Sequence, residues 1–208
     1  MNYEQQKRIL DLVIAFGLII AFLPFWVIVP ILIMIDDGLP IFFTHKRVGK
    51  DGEEFEIKKF RSMVKDAHKM LHEQDPKLLE KFKKSDWKFA ANEDPRITKL
   101  GRALRSLTID EFPQLFNVIK GEMSMIGPRA YMKKELDEQT RKYPSTKKYV
   151  KGILSIKPGI TGPWQTSGRN EIPFSQRAKM DAEYAQKKDI LNDIRIILKT
   201  PKAMISKW

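Results

Sequence analysis

Two adjacent carboxylates, Asp110 and Glu111, lie in the stretch "SLTIDEFPQLFNVIKGEMSMIGPRA" of an otherwise basic chain. An ionised aspartate can attack phosphorus as a nucleophile. One or two carboxylates, together with substrate phosphates, are also the usual ligands of Mg²⁺. Basic residues on both sides could bind phosphate oxygens and stabilise the charge of a transferring group. These residues are Arg96, Lys99, Arg102, Arg105, Lys120 and Arg129.

The acidic pair also has a purely structural interpretation. Pro113 is tolerated in the first turn of a helix, and Thr108 and Glu111 have the T-x-x-E spacing of a capping box. Both features predict a helix N-terminus at or just after the pair, where Glu111 would cap the helix. The helix dipole would then favour the ionised form of Asp110. This stretch alone leaves both capping and chemistry open.

The composition indicates what kinds of partner to expect. The chain has 208 residues, 38 Lys plus Arg, 26 Asp plus Glu and a formal net charge of +12. This length suits one domain, with or without an appendage. The charge predicts anionic partners such as phosphates, nucleic acid or an anionic membrane surface. The absence of cysteine excludes disulfides and thiolate metal sites. His68 and His72 have metal-ligand spacing, but no further ligand motif adjoins them, so we do not predict a metal site there.

Residues 12–35, "LVIAFGLIIAFLPFWVIVPILIMI", contain no charged side chain. As a straight helix they would reach roughly 36 Å, enough to cross a hydrocarbon core of about 30 Å. No small-residue cleavage site follows, so a cleavable signal peptide is disfavoured. The length and composition favour a membrane segment over the buried helix of a soluble protein.

Prolines make the topology of this segment ambiguous. A kink at Pro24 would leave two arms of roughly 12 residues, each too short to cross the core. Transmembrane helices nevertheless tolerate proline, so spanning and dipping both stay open on this ground. Positive charge on both flanks favours keeping both ends on the cytoplasmic side, as in a re-entrant hairpin. The flanking residues are Lys7 and Arg8 before the segment, and His45, Lys46, Arg47 and Lys50 after it.

The remaining patterns predict an α+β fold that is mostly helical with a small β-hairpin. Two β-rich runs, near 41–48 and 53–60, surround the turn signal Asp51-Gly52. Helical patterns cover 64–84, with an interruption at Asp75-Pro76, and begin again near residue 100. Residues 132–150 form a charged helical pattern that ends near Tyr143-Pro144, and 175–199 form an amphipathic one. The tail "TPKAMISKW" suits either a membrane interface or an ordinary C-terminal helix.

Four stretches in this order resemble one family. They are the hydrophobic segment with its mid-segment proline, "GLPIFFTHKRVGKDGEEFEIKKFRSM", "EDPRITKLGRALRSLTIDEFPQLFNVIKGEMSMIGPRA" and "KPGITGPWQTSGR". The chain resembles the bacterial sugar transferases, in particular the small monotopic phosphoglycosyl transferases. The resemblance implies a re-entrant helix-break-helix at residues 1–38, broken at Pro24, and a cytoplasmic catalytic domain at 39–208 with interfacial amphipathic helices. It implies a monotopic protein on the cytoplasmic face of the bacterial inner membrane.

The resemblance also implies a reaction. A sugar-1-phosphate passes from a UDP-sugar to a polyprenyl (undecaprenyl) phosphate, giving polyprenyl diphosphate-sugar and UMP and initiating glycan assembly. The reaction requires Mg²⁺ and proceeds through a covalent aspartyl-phosphosugar intermediate. Asp110 would be the nucleophile and contact the metal, with Glu111 as its partner. Membrane lipids are expected partners, nucleic acid is not, and no oligomeric state is indicated. The other implied site residues are Lys59, Arg105 and Arg129 for phosphate and Trp164, Gln165 and Arg169 for the nucleotide-sugar pocket.

The sequence departs from the family pattern at two informative positions. Ala130 stands where a second proline usually follows Arg129, and Leu23 stands where a serine often precedes Pro24. Two other functions stay open. One is a membrane-anchored, non-enzymatic binder of anionic lipid or nucleic acid. The other is a membrane phosphohydrolase that uses Asp110 covalently but transfers the intermediate to water.

Overall fold

The computed structural model describes residues 1–85, 89, 93–168 and 172–205, and it confirms a mostly helical α+β fold with a small antiparallel hairpin. The strands are β1 (Phe42–Val48), β2 (Glu54–Phe60), β3 (Ser124–Ile126) and β4 (Gly159–Thr161). The helices are α1 (Tyr3–Ala21), α2 (Phe25–Asp37), α3 (Ala67–Lys69), α4 (Pro76–Lys84), α5 (Lys99–Ser106), α6 (Gln114–Lys120), α7 (Lys133–Lys142), α8 (Lys147–Leu154), α9 (Phe174–Lys187) and α10 (Ile190–Ile205).

The hairpin forms where the sequence predicted it. Strands β1 and β2 pair antiparallel, and the connecting residues Lys50–Gly52 form a 3₁₀ turn. Asp51 and Gly52 both have positive φ there (56° and 83°), as expected for an Asp-Gly turn. Cross-strand partners share a face of the sheet, and side chains alternate along each strand. Arg47 and Lys59 therefore lie on the same face of the hairpin, since they pair with Phe55 and Phe43.

The N-terminal apolar segment consists of two helices, α1 and α2, bent by 63° at a short break next to Pro24. In the described part of the chain no single helix is long and apolar enough to cross a membrane, whereas the two helices of this bent pair together have the required length and apolar composition. Phe22, at the break, packs against Phe112 with ring centroids 5.1 Å apart. Trp26 packs between Phe60 and Phe116. The break therefore lies directly over the segment that follows Asp110.

Three apolar clusters hold these elements together. Val29 and Ile33 of α2 pack with Phe60, Leu104 and Ile109, which joins the N-terminal apolar segment to β2 and α5. A central cluster joins α1, α6, β3 and α10, and a third joins α7, α8 and α9. Burial of these side chains is the main stabilising contribution in a fold with so little sheet.

Many large apolar side chains are exposed on α1 and α2, and others are exposed along α10. On α10 they recur at three- to four-residue spacing, which places them on one face of the helix. Such a contiguous exposed apolar surface indicates contact with a membrane or a partner. The exposed side chains include Val13, Phe16, Ile20, Leu23, Val27, Ile28, Ile31, Leu32, Ile35, Leu191, Ile194 and Leu198.

Helix boundaries agree with the sequence where local signals are strong. The interruption at Asp75-Pro76 is confirmed, because α4 begins at Pro76 and the Asp75 side chain accepts a hydrogen bond from Leu78 N at 2.9 Å. The predicted single helix over 175–199 is wrong. The chain breaks between α9 and α10, where Lys188 adopts a left-handed conformation with φ of 40°.

Candidate active site

The acidic pair lies in a tight turn between α5 and α6. Thr108 has φ of 57°, Ile109–Glu111 form a 3₁₀ turn, and α6 begins at Gln114 after Pro113. The helix start just after the pair is confirmed, but the capping box is wrong. Thr108 lacks the extended conformation of an N-cap residue, and its side chain makes no capping hydrogen bond. The carboxylate of Glu111 is bound elsewhere.

Asp110 is 4% exposed, and its Oδ1 atom accepts no hydrogen bond from the described residues. Burial raises the pKa of Asp110 to about 6; Lys59 and Arg105 oppose this rise, and the charge of Glu111 adds to it. Burial therefore works against the ionised form of Asp110, which the helix start was expected to favour. A pKa of about 6 still leaves most Asp110 ionised at pH 7.

Glu111 forms an ion pair with Lys59, whose Nζ lies 2.5 Å from Glu111 Oε1. Burial alone would raise the pKa of Glu111. The ammonium of Lys59, the guanidinium of Arg129 and a hydrogen bond from Gln114 together lower it. The pKa values of the two adjacent carboxyls are thus shifted in opposite directions, a pattern typical of groups with different roles in one reaction.

The three predicted phosphate-binding residues all lie around this pair. Lys59 projects from β2 onto Glu111, and Arg105 at the end of α5 acts electrostatically on Asp110. Arg105 Nε donates a hydrogen bond to Ser62 Oγ at 2.9 Å, which fixes the guanidinium. The positive charge of Arg129 helps to lower the pKa of Glu111. The structure therefore brings together cations that are up to 70 positions apart in the sequence.

Sequence reasoning missed two further groups, Arg47 and Glu135. The carboxylate of Glu135 is buried between two guanidiniums, 3.6 Å from Arg47 Nη1 and 3.8 Å from Arg129 Nε. Burial and the charge of Arg129 lower the pKa of Arg47 to about 10, although Glu135 and Glu111 oppose the shift. Strand alternation would have found Arg47, because it shares a hairpin face with Lys59. Glu135 carries no sequence signal of this kind.

Two of the three residues predicted for the nucleotide-sugar pocket, Trp164 and Gln165, lie within the described part of the chain. Trp164 is buried, and its ring centre lies 5.9 Å from the guanidinium carbon of Arg129 and 5.3 Å from that of Arg177. Gln165 follows Trp164, and its buried Oε1 accepts no hydrogen bond within the described residues. Arg169 lies outside the described residues. The Trp164 ring therefore lies beside two guanidiniums, one of which belongs to Arg129 of the site. The role of Arg169 in the pocket stays a prediction.

A second buried carboxylate positions the Arg129 loop. Asp181 on α9 accepts a hydrogen bond from Arg129 N at 3.2 Å and is fully buried. Burial raises the pKa of Asp181 to about 7, while that hydrogen bond, Arg177 and Tyr131 oppose the shift. The family's second proline, replaced by Ala130, is absent from this loop. The hydrogen bond from Arg129 N to Asp181 on α9 restrains the loop instead.

The donors available for a metal are few. No group of three or more His, Asp or Glu side chains in the described part of the chain is arranged to hold a metal ion. His45 lies 6.2 Å from His68, and His68 lies 4.2 Å from His72, measured between ring centres, but they do not form such a group. Asp110, with its unpartnered Oδ1, fits Mg²⁺ in the way that this ion usually binds, through one or two carboxylates plus substrate phosphates.

A buried, partly unsatisfied carboxylate beside several cations defines a site suited to phosphate chemistry. Comparison with known proteins agrees: the chain belongs to the bacterial sugar transferase family, whose model matches residues 2–207.

The relatives include three that carry informative names. The chain is 40% identical over 93% of its length to the UDP-galactose-lipid carrier transferase of Erwinia amylovora, and 41% identical over 81% to the undecaprenyl-phosphate galactose phosphotransferase of Salmonella typhimurium. It spans only 39% and 34% of those two proteins. It is also 37% identical to the exopolysaccharide production protein ExoY of Sinorhizobium fredii, with 95% of this chain and 84% of that protein covered.

Proposed function

We propose that the protein is a phosphoglycosyl transferase that moves a sugar-1-phosphate from a UDP-sugar to a polyprenyl phosphate. The observation that carries the proposal is the buried Asp110 carboxylate with an unpartnered oxygen, surrounded by the cations Lys59 and Arg105. A nucleophile that attacks a pyrophosphate needs both an available lone pair and positive charge on the oxygens of its target.

The first half-reaction is a displacement at the β-phosphorus of the UDP-sugar. A carboxylate oxygen of Asp110 forms a bond to that phosphorus, and the bond to the oxygen bridging the two phosphates breaks. That oxygen leaves with its electron pair as part of UMP. Lys59, Arg105 and Arg129 stabilise the charge on the phosphate oxygens. Mg²⁺ bound through Asp110 would neutralise further pyrophosphate charge.

The second half-reaction reverses the roles of attacking and leaving groups. A phosphate oxygen of the polyprenyl phosphate attacks the same phosphorus, and the bond to Asp110 breaks, regenerating the carboxylate. The products are polyprenyl diphosphate-sugar and the free enzyme. Glu111 is held ionised by Lys59 and positions or deprotonates the acceptor phosphate. Splitting one transfer into two displacements is the advantage of a covalent relay.

Contacts at both ends of the helix pair support a re-entrant membrane segment. Near its start, Lys7 of α1 forms a buried ion pair with Asp193 at 3.0 Å. At its end, Arg61 pairs with Asp37 at 3.2 Å and donates to the backbone of Gly38. Both ends are thus attached to the same body, so residues 1–38 would enter and leave the membrane by one face. Residues 39–208 would then form a catalytic domain on the cytoplasmic face of the inner membrane.

The break between α1 and α2 lies close to the acidic pair, where a membrane-bound substrate would be needed for catalysis. Phe22 and Phe25 at the break both pack against Phe112, two residues after Asp110. A polyprenyl chain lying beside the helix pair would therefore place its phosphate near the acidic pair. The relatives' names support such a lipid, since they specify a lipid carrier and undecaprenyl phosphate. Galactose is the sugar in both names, which makes UDP-galactose the first donor to test.

The test is a two-stage assay on the purified full chain. With Mg²⁺ and UDP-galactose alone, intact-mass measurement should show an adduct of one phosphosugar and release of one equivalent of UMP. Adding polyprenyl phosphate should discharge the adduct into a lipid product. Asp110→Asn should abolish both signals, by about 10³-fold or more.

Three outcomes would contradict the proposal, and two of them would favour one of the other functions. Formation of free sugar phosphate without any need for the lipid would indicate a phosphohydrolase. Normal turnover by folded Asp110→Asn would remove Asp110 as nucleophile, and absence of UMP release with every UDP-sugar would favour a non-enzymatic binder.

A further inference from the structure

A small basic cleft lies apart from the acidic pair, at the base of α1. It is bounded by the first turns of α1, the β1–β2 turn, the residues leading into β4 and the end of α9. None of Asp110, Glu111, Lys59, Arg105 or Arg129 lines it. The charged side chains that do are Lys7, Arg8, Lys50, Lys157 and Lys188, against Glu4 and Asp11.

Three of these cations already have carboxylate partners. Lys7 pairs with Asp193 at 3.0 Å, Lys188 pairs with Glu4 at 3.2 Å, and Lys50 pairs with Asp51 at 4.0 Å. Arg8 is different, because it binds two neutral acceptors. Its Nη1 and Nη2 donate to the carbonyl oxygens of residues 118 and 119, at 2.6 and 2.7 Å, so its charge is held in place but not neutralised.

Lys157 forms no ion pair with any described residue. Its Nζ reaches the same helix end as Arg8, so that a Cβ built on Gly121 would lie 3.3 Å from Lys157 Nζ and 3.8 Å from Arg8 Nη2. Asp11 lies nearby, but its Oδ1 accepts hydrogen bonds from Ser124 Oγ and Met125 N. Burial and the charge of Arg8 lower the pKa of Lys157, Asp11 opposes that shift and Lys50 adds to it. Positive charge therefore exceeds negative charge in this cleft.

We propose that this cleft binds the phosphate headgroup of an anionic phospholipid of the surrounding bilayer. Arg8 lies four residues before the apolar run that begins at Leu12, or about 6 Å along the helix axis. That distance places the cleft at the headgroup level if α1 enters the membrane as proposed. Ile9 and Val13 are exposed on the opposite side of α1, which suits a helix surrounded by lipid at this depth. Basic pockets on the cytoplasmic side of membrane helices bind anionic headgroups in this way.

The proposal rests on the membrane placement of α1 but not on the catalytic role of Asp110. The probe is dioctanoyl phosphatidylglycerol, added to the full chain in a neutral detergent while the melting temperature is followed. Phosphatidylglycerol should raise the melting temperature by several degrees, and dioctanoyl phosphatidylcholine should not. Lys157→Gln should weaken the apparent affinity about fivefold, as expected for one lysine at an anionic surface. Lys157→Arg, which keeps the charge, should retain the response.

Control variants make the test specific. Lys147→Gln removes an exposed lysine of α8 that does not line the cleft, and it should respond like the unmodified chain. Asp110→Asn should also respond fully, so failure of the catalytic proposal would not affect this result. An equal response to phosphatidylcholine, or to inorganic phosphate at the same concentration, would overturn the proposal. So would an unchanged affinity in Lys157→Gln. A Lys157-dependent response to farnesyl phosphate alone would assign the cleft to the acceptor and overturn it as well.

Discussion

At the scale of single residues, the site is built at the expense of stability. The pKa of Asp110 is about 6 in the fold, compared with an ordinary value of 3.8. A carboxyl whose pKa is raised on folding favours the fold in its protonated form. Its contribution is complete below pH 3.8 and is lost as the pH rises through 6. At neutral pH the ionised Asp110 therefore opposes folding, which is common where a group must stay reactive.

We expect Asp110→Asn to raise the stability of the protein while it abolishes turnover. The amide keeps the shape of the side chain without the buried charge, so the gain at pH 7.5 should be about 1–3 kcal/mol. The gain should shrink as the pH is lowered to 4.5, since the unmodified Asp110 is then mostly protonated in the fold. Thermal unfolding in detergent at both pH values measures this. A gain of equal size at both pH values would show that burial of charge is not its cause.

Ionisation of Asp110 should also govern the pH dependence of the first half-reaction. Because the nucleophile must be ionised, the rate of UMP release should fall below about pH 6. Lys59→Met removes the strongest charge that opposes the rise in the pKa of Asp110, so the acid limb should move to higher pH. Lys46→Met is the control, since Lys46 lies on β1 with its side chain 75% exposed. An acid limb that stays in place in Lys59→Met would contradict the electrostatic account.

At the scale of elements, the sequence predicts what short-range chemistry determines. The Asp-Gly turn, the Asp75-Pro76 boundary and the break at Pro24 depend on local backbone preferences, and all three occur as expected. The failed capping box has a tertiary cause. Lys59, 52 residues away, binds the carboxylate that would have capped α6. The clamp of Glu135 on two arginines also depends on long-range packing, which the periodicity of apolar residues does not reveal. The break at Lys188 has a local signal instead, because Asp189 Oδ1 accepts a hydrogen bond from Leu191 N at 2.9 Å at the start of α10.

The close approach of α5 to Ser62, two residues after the end of β2, should be sensitive to substitution. A Cβ built on Gly101 would lie 1.9 Å from the carbonyl oxygen of Ser62, which is a backbone atom and not the end of a flexible side chain. Gly101→Ala should therefore push α5 away and displace Arg105, whose Nε binds Ser62 Oγ. We expect loss of UMP release together with a lower melting temperature.

Gly17→Ala is the matched control, because a Cβ on Gly17 in α1 meets nothing within 4 Å. That change should stabilise the helix by up to about 1 kcal/mol and leave turnover unchanged. If Gly101→Ala kept full activity and stability, the close packing of α5 on Ser62 would not be what positions Arg105.

At the scale of the whole molecule, a buried polar network joins the two ends of the chain. Asp193 on α10 accepts hydrogen bonds from Lys7, Tyr3 and Tyr184, and it is fully buried. Lys7→Met would leave this carboxylate buried without its cation, which costs about 3–5 kcal/mol. Combining it with Asp193→Leu should recover much of the loss, because both charges are then absent. Thermal unfolding of the single and double variants tests this, and additive losses would show that the ion pair is not the link.

If residues 1–38 enter the membrane as proposed, the same attachment determines on which side of it the N-terminus lies. Because Lys7 and Arg8 are bound to the catalytic body, a cysteine at position 2 should lie on the cytoplasmic side. The chain has no native cysteine, so a single label reports one position. In intact cells, Asn2→Cys and the exposed control Ser145→Cys should both resist a membrane-impermeant maleimide. Both should react once the membrane is permeabilised. Labelling of Asn2→Cys from outside, with Ser145→Cys protected, would mean that the helix pair crosses the bilayer and that the network with Asp193 does not form in the membrane.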